Sequence, residues 1–393
     1  MSERHVVAAL DTELLDLVRA GLARQGGTAS AARVAEIMRA QGRLVGDAAV
    51  LDVVEALRRD TTGLGPLEEL LQLDGVTDIV VNGPDEVFVD LGRGLQRASV
   101  HFSDDAAVRR LAQRLASRGG RRLDDASPYV DVRLDDGSRF HAVLAPVARR
   151  GTCLSIRVPA RRAMSLAELV AARTVDEKGA QLLDDLVRSK IAFLVSGGTG
   201  SGKTTLLAAL LSCVPSTERI VVVEDATELA PRHSHVVSLE SRQPNVEGIG
   251  EISVRDLVRQ ALRMRPDRLV VGEVRGGEVV DLLAALNTGH EGGCGTIHAN
   301  SGRDVPARME ALGVAAGLDR TAVHAQLASA LHVVIHLRRR RDGTRWVSEV
   351  ATLTRQANGL VEAVPAVSFA HDGTTSIGPS VEVLEALLSS HGT

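Results

Sequence analysis

The chain has 393 residues, room for two or three domains with cores of their own, and its 44% hydrophobic and 24% charged residues exclude global disorder. A formal charge of −4 excludes bulk charge as a reason to bind nucleic acid or an anionic membrane, and 2% aromatics leave few rings on which to stack bases. The three cysteines, Cys153, Cys213 and Cys294, form no Cys-x-x-Cys pair, so neither a disulfide framework nor a zinc ribbon is expected, and a reducing cytosol suits them.

The opening stretch, MSERHVVAALDTELL, carries Glu3, Arg4, Asp11 and Glu13 and lacks the apolar core of a signal peptide. No apolar run nears the roughly 20 residues that cross a bilayer, so any membrane link is expected to be peripheral or through a partner. Leu10, Leu14, Leu17, Val18 and Leu22 recur at helical spacing, and Leu51, Val54 and Leu57 repeat it after the turns RQGGTAS and AQGRLVGD. Residues 1–60 therefore read as a small helical bundle. Gly63, Gly65 and Pro66 then mark a boundary. Beyond it come short strands, VTDIVVNG, EVFVDLG, YVDVRL, SRFHAVLA and CLSIRV, with one helix over about 104–118 and Asp136-Gly137 as a hairpin turn. This predicts a small α+β domain over 61–160, closed by the exposed linker PARRA.

From about Ser165 the pattern becomes strand–loop–helix. IAFLVSG, RIVVVED, RLVVGEV and GTIHAN are apolar runs without alternation, as expected of strands covered by helices on both faces. Ser253 and Asp256 resemble a capping box opening a helix through Met264, and Arg263 and Arg265, before Pro266, can meet its last carbonyls. HVVIHL and TRWVSEVATL predict paired strands near the end. The fold class over 161–393 is thus α/β with a mostly parallel sheet. The basic run RRRRDG, Arg338–Gly343, lies between those last two strands and reads as a solvated hairpin end rather than a lipid or nucleic-acid contact. Trp346 and Tyr129, the only ones of their kind, read as packing residues.

SGGTGSGKTT follows the strand IAFLV and precedes an apolar helix. Gly197, Gly202, Lys203 and Thr204 fit G-x-x-x-x-G-K-[ST], with strand and helix in the right places for a phosphate loop rather than a chance glycine-rich turn. Its backbone, Gly197, Gly198, Thr199, Gly200, Ser201, Gly202, Lys203, Thr204 and Thr205, is expected to cradle the phosphates of ATP. Lys203 would reach the β- and γ-phosphates and the Thr204 hydroxyl would ligate Mg²⁺.

Three further stretches carry chemistry-bearing groups. VVVEDATEL places Glu224, Asp225 and Glu228 at a strand end, either as helix-capping acids or at the ligand-binding edge of an α/β sheet. LVVGEVRGGE ends a buried strand in Gly272 and Glu273, where a nucleotide hydrolase usually has an aspartate. NTGHEGGCGTIHANS sets His290 and His298 around Cys294. The glycines between them disfavour a helix that would align the three, and two His and one Cys fall short of a closed zinc shell, which leaves a plain pair of core or surface histidines or a pair that senses a nucleotide.

Together these stretches resemble the secretion and pilus-assembly traffic ATPases, and most of all the CpaF/TadA-type branch that powers Tad (Flp) pili. ESRQPNVEGIGEISVRDLVRQALRMRPDRLVVGEVRGGE looks like this branch throughout, as does VTDIVVNGP, and the likeness runs from about Gly63 to Leu353. The resemblance implies a RecA-like P-loop motor domain with a smaller α+β N-terminal domain and a helical N-terminal extension. It implies Glu273 as the catalytic carboxylate, also organising Mg²⁺ with Thr204. Glu224 and Glu228 of the acidic box would add negative charge around the metal, and His290 and His298 would sense the nucleotide. Arg139 and Arg157 match the N-terminal-domain arginines that serve the family as fingers, against the plain reading of strand arginines facing water. It further implies a homo-hexameric ring, cytoplasmic and peripheral at the inner face of the cell membrane, driving an inner-membrane platform protein. A conjugation or type IV secretion ATPase is the rival reading, because the two differ in partner and not in active site; low aromatic content and mild acidity argue against direct nucleic-acid handling. A non-catalytic nucleotide-gated scaffold is disfavoured, since the phosphate-binding and water-activating roles all have candidates.

Overall fold

The computed structural model describes residues 18, 21, 31–40, 50, 53, 54, 63–134, 136–159, 163–242, 244 and 248–391. The chain divides after Pro159 into two units. In the N-terminal stretch a helix, Ala31–Ala40, buries Val34, Ile37 and Met38 with Val18, Val50 and Val53. Leu10, Leu14, Leu17, Leu22, Leu51 and Leu57, on which the helical-bundle expectation rests, lie outside the described residues.

The first unit holds an antiparallel sheet of β1 (Asp78–Asn82), β2 (Val87–Asp90), β3 (Leu95–Arg97), β4 (Tyr129–Arg133), β5 (Arg139–Val143) and β6 (Cys153–Arg157), in the order β3-β2-β1-β6-β5-β4. Alternation decides its two faces. Ile79, Val81, Val87, Val89, Val132, Phe140, Leu154 and Ile156 form one core with Val108, Leu111 and Leu115 of the helix Asp105–Arg118. Asp104 caps that helix, its carboxylate accepting the Ala107 N–H at 2.6 Å. The opposite face carries Asp78, Asp131, Arg139, His141, Ser155 and Arg157. The three-residue β3 is exposed throughout and so has no apolar signature in the sequence. Tyr129, expected to pack, is 65% exposed on β4.

The second unit is built on a nine-stranded sheet: β7 (Phe193–Gly197), β8 (Ile220–Glu224), β9 (Val236–Glu240), β10 (Arg268–Val274), β11 (Cys294–Ile297), β12 (Val333–Arg339), β13 (Arg345–Arg355), β14 (Val361–Phe369) and β15 (Thr375–Ile377), in the order β15-β14-β13-β12-β7-β11-β10-β8-β9. Strands β12, β7, β11, β10, β8 and β9 run parallel; β13, β14 and β15 extend the sheet antiparallel. Two cores explain why the parallel strands show no alternation. Phe193 and Val195 point into one, with the helices Glu177–Arg188 and Lys203–Leu211; Ala192 and Leu194 point into the other, with the helices Glu278–Leu286 and Arg320–Ala330. Ile220 and Val222 against Val221 and Val223 repeat the division on β8. The Ser253 capping box is complete: Ser253 Oγ accepts the Asp256 N–H at 3.2 Å, and Asp256 Oδ2 accepts the Ser253 N–H at 3.2 Å. That helix, Val254–Ala261, tightens to a 3₁₀ turn, Leu262–Met264, and stops at Arg265, whose φ is +54°. Among the described residues, no helix is long and apolar enough to cross a membrane.

Candidate active site

The parallel strands end at one edge of the sheet, and the acidic, glycine-rich and histidine-bearing stretches meet there. The phosphate loop leaves central β7 and enters the helix Lys203–Leu211 at once. Gly202 makes that turn at φ +96°, a conformation open to glycine at little cost and strained for a residue with a Cβ. The unpaired N–H groups of the helix start therefore face the loop, an anion-binding arrangement. Gly198, Thr199 and Gly200 are exposed at the apex, Thr204 is half-buried in the first helical turn, and Thr205 is exposed. Ser201 is buried, and its hydroxyl has no hydrogen-bond partner among the described residues.

Lys203 is 8% exposed, and its ammonium donates to the carbonyls of Gly197 at 3.1 Å and Gly198 at 3.2 Å. Burial pulls its pKa below the ordinary lysine value, against the attraction of Glu273 and Glu228. Nζ also lies 3.2 Å from His298 Nε2, and that same ring nitrogen is 3.0 Å from Glu273 Oε1. One nitrogen cannot serve both neighbours at once. It accepts from lysine only without a proton and donates to a carboxylate only with one. Burial and the Lys203 charge push the His298 pKa down, outweighing Glu273, and so favour the neutral ring.

Glu273 is held on its other side by Arg275, with Nε 3.1 Å from Oε2, and Arg275 Nη2 also meets Asp225 Oδ2 at 2.9 Å. Two features aim Glu273. Register between β10 and β11 slips between Val271 and Val274, the kind of irregularity that redirects a side chain. The buried Thr296 hydroxyl then donates to the Gly272 carbonyl at 2.6 Å. Glu278 fixes the following turn, its Oε1 accepting the N–H groups of Arg275 and Gly276 at 2.6 and 2.7 Å.

The glycine at 272 has a steric cause. A Cβ there would lie 2.5 Å from Glu224 Cγ. Glu224 is 4% exposed, and its Oε1 accepts the N–H groups of Glu228 and Leu229, each at 3.0 Å. The neighbouring strand's carboxylate thus fills the space that a side chain at 272 would need. Gly272→Ala is expected to displace this pinned side chain and to lower stability by about 1–3 kcal/mol, as overpacking does. A denaturant titration showing wild-type stability would remove this explanation.

Of the residues proposed from the sequence, the structure brings Lys203, Thr204, Glu224, Glu273 and His298 to one edge, with Glu228 exposed beside them. It does not bring His290 there. His290 precedes β11 and so stands at the opposite edge of the sheet, with Nδ1 3.2 Å from the Ala285 carbonyl. Cys294 lies inside β11, 1% exposed, its thiol pushed by burial to about 12. Among the described residues no cluster of His, Cys, Asp and Glu is arranged to hold a metal on its own. In the first unit Arg139 and Arg157 face each other across β5 and β6. Arg139 meets Asp131 at 3.0 Å and Arg157 meets Asp78 at 3.2 Å, and with His141 and Ser155 they line a concavity of ≈ 250 Å³.

Sequence reading missed several participants. Arg275 sits inside a legible motif, and its pairing with Asp225, which the acidic stretch already offered, was hidden. Ser196 and His336, joined at 2.9 Å just before the loop, and Arg345, which donates to the Gly200 carbonyl at 2.9 Å, depend on β12 and β13 packing beside β7 and have no local signal.

The hard oxygen donors at this edge, the Thr204 hydroxyl and the Glu273 and Glu228 carboxylates, suit Mg²⁺ held jointly with nucleotide phosphates. A family model described as type II/IV secretion system protein matches residues 60–375. A Mycobacterium tuberculosis protein named for conjugal transfer is 59% identical over 327 residues, 82% of this chain and 93% of that one. The conjugal transfer protein TrbB of Rhizobium radiobacter is 30% identical over 277 residues, 69% of this chain and 81% of that one. In fold, the pilus retraction motor PilT, solved with bound ADP, matches with a TM-score of 0.52 at 22% identity, over 83% of this chain and 86% of that one. The chain has a RecA-like motor domain joined to a smaller α+β domain, and it belongs to the type II/IV secretion system protein family, a family of secretion ATPases.

Proposed function

We propose that the chain hydrolyses MgATP as one subunit of a hexameric ring, at the cytoplasmic face of the cell membrane, and that the work is delivered to an inner-membrane platform of a Tad/Flp-type pilus or secretion system. The observation that carries the catalytic part is the convergence of Lys203 and Glu273 on His298 Nε2, at 3.2 and 3.0 Å, beside a phosphate-loop motif in full register. The loop N–H groups and Lys203 would take the β- and γ-phosphates. Glu273, held between His298 and Arg275, would orient and deprotonate the attacking water. Mg²⁺, when bound with the triphosphate through Thr204 and the carboxylates, neutralises charge on the transferred group. Once Lys203 turns to a phosphate, His298 Nε2 is released from the lysine and, on taking up a proton, can donate to Glu273, which would make His298 a reporter of nucleotide. Phosphate release from MgATP, together with the mass of the assembly in its presence, tests this reading; a monomer without turnover would overturn it.

A conjugal or type IV secretion motor is the second reading, favoured by the names of the Mycobacterium tuberculosis and Rhizobium radiobacter relatives. The two separate in the host: loss of surface filaments on deleting the chain supports the pilus reading, and loss of DNA transfer with filaments intact supports the other.

Arg139 and Arg157 are proposed as the fingers that stabilise charge on the transferred phosphoryl group. Arg139→Ala or Arg157→Ala is expected to leave nucleotide affinity within a few-fold and to cut turnover by roughly 10³-fold, the low end for an arginine finger. Wild-type turnover in both would return these arginines to the role of strand residues paired with Asp131 and Asp78.

A further inference from the structure

The geometry points to a second source of positive charge at the phosphate loop, within the second unit itself: the β12–β13 hairpin supplies Arg339 to the polyphosphate of the bound nucleotide, and Arg345 as a positioning residue that holds the loop. This rests on the phosphate-loop reading above. Strand β12 runs parallel to β7 with Leu337 opposite Gly197, so the residues after Leu337 leave the sheet beside the loop. Side chains alternate along a strand. Arg339 therefore shares the face of Leu337, which packs in the core that includes the helix Lys203–Leu211. A Cβ on Gly200 would lie 2.8 Å from Arg339 Nη1, so the guanidinium sits against the loop at its apex. Arg345 stands directly opposite Arg339 in the hairpin. Its Nε donates to the Gly200 carbonyl at 2.9 Å, and its Cδ would be 3.4 Å from a Cβ on Gly202.

Two like charges opposite each other repel, so their pairing calls for an anion or an acceptor nearby. Arg345 has the Gly200 carbonyl. Arg339 is exposed, and among the described residues no carboxylate pairs with it, whereas Arg340 meets His371 at 3.0 Å and Asp342 at 3.9 Å. In an anion nest the N–H groups point inward and the carbonyls outward. Holding one outward carbonyl keeps Arg345 from competing for the anion while it steadies the N–H groups that do. A guanidinium fits two oxygens of a phosphate in a planar fork, a geometry that lysine does not reproduce. The basic run is thus only partly a solvated hairpin end: Arg338, Arg340 and Arg341 are exposed, and Arg339 lies on the loop.

The test is a calorimetric titration of the full chain with MgATP and with MgADP at two salt concentrations. Arg339→Gln is expected to weaken nucleotide binding by roughly tenfold, the low end of what a hydrogen bond to a charged group contributes, and to flatten its salt dependence. Arg339→Lys should recover only part of the affinity. Arg341→Gln, which removes the same charge from the same run, should bind as wild type. Arg345→Gln is expected to weaken binding with the unfolding temperature of the ligand-free protein unchanged, and Arg345→Lys to restore it. If Arg339→Gln binds like Arg341→Gln while Lys203→Ala has lost binding, the hairpin inference fails and the phosphate-loop reading stands. If Lys203→Ala also binds as wild type, the phosphate-loop reading itself fails.

Discussion

Glu273→Gln is expected to bind MgATP with nearly unchanged affinity and to hydrolyse it at least roughly 100-fold more slowly, the range for loss of a general base or water-orienting group. The substitution is close to isosteric. The amide can still accept from Arg275 Nε, which lies 3.1 Å from Oε2, so Glu273's position at the end of β10 is kept. What disappears is the negative charge and the capacity to take a proton from water. His298 Nε2, 3.0 Å from Oε1, would then face a neutral group. Because the proposed reading gives the affinity-determining contacts to the loop N–H groups and Lys203, ground-state binding and turnover should separate. Single-turnover hydrolysis alongside equilibrium binding makes the comparison, and a variant turning over at near wild-type rate would reduce the strand β10 to a core element with a surface carboxylate.

Lys203→Ala is expected to lower MgATP affinity by roughly two orders of magnitude, from the loss of hydrogen bonds to charged phosphate oxygens. The same change should not weaken the ligand-free fold. Burial lowers the Lys203 pKa, so the folded state disfavours the charged form. At any pH well below that lowered value the side chain is charged both folded and unfolded, and the desolvation cost is then fully present; it fades only as pH rises through the lowered value toward the ordinary one. Removing the ammonium at neutral pH therefore removes a cost, and alanine suits the first turn of the helix Lys203–Leu211. A variant with lost affinity and an undiminished unfolding temperature would mark Lys203 as kept for binding at the expense of stability. Unchanged affinity would overturn the phosphate loop.

Local spacing carried much of this site. Gly197, Gly202, Lys203 and Thr204 fall within one short stretch, and strand and helix flank them in the sequence as in the fold. The Ser253–Asp256 capping box and the Asp136-Gly137 hairpin were equally legible, because each is closed by residues within four positions of one another. The apolar runs of β7, β8 and β10 announced a covered sheet, since strands buried on both faces have nothing polar to alternate with.

What the sequence by itself determined, then, is the phosphate loop, the α/β class and which short segments carry acidic and histidine groups. Only the tertiary structure decided which of those groups meet. His290 and His298 are equivalent by spacing, yet they stand at opposite ends of β11, because a strand separates its two ends whatever the residues between. Gly272 reads as a missing carboxylate until β8 lies beside β10 and Glu224 fills its place. Arg339 reads as part of a wet hairpin end, and Arg345 as a plain strand residue, until β12 pairs with β7. Each of these contacts joins strands distant in the chain, and their register is set by the packing of two cores rather than by any local pattern.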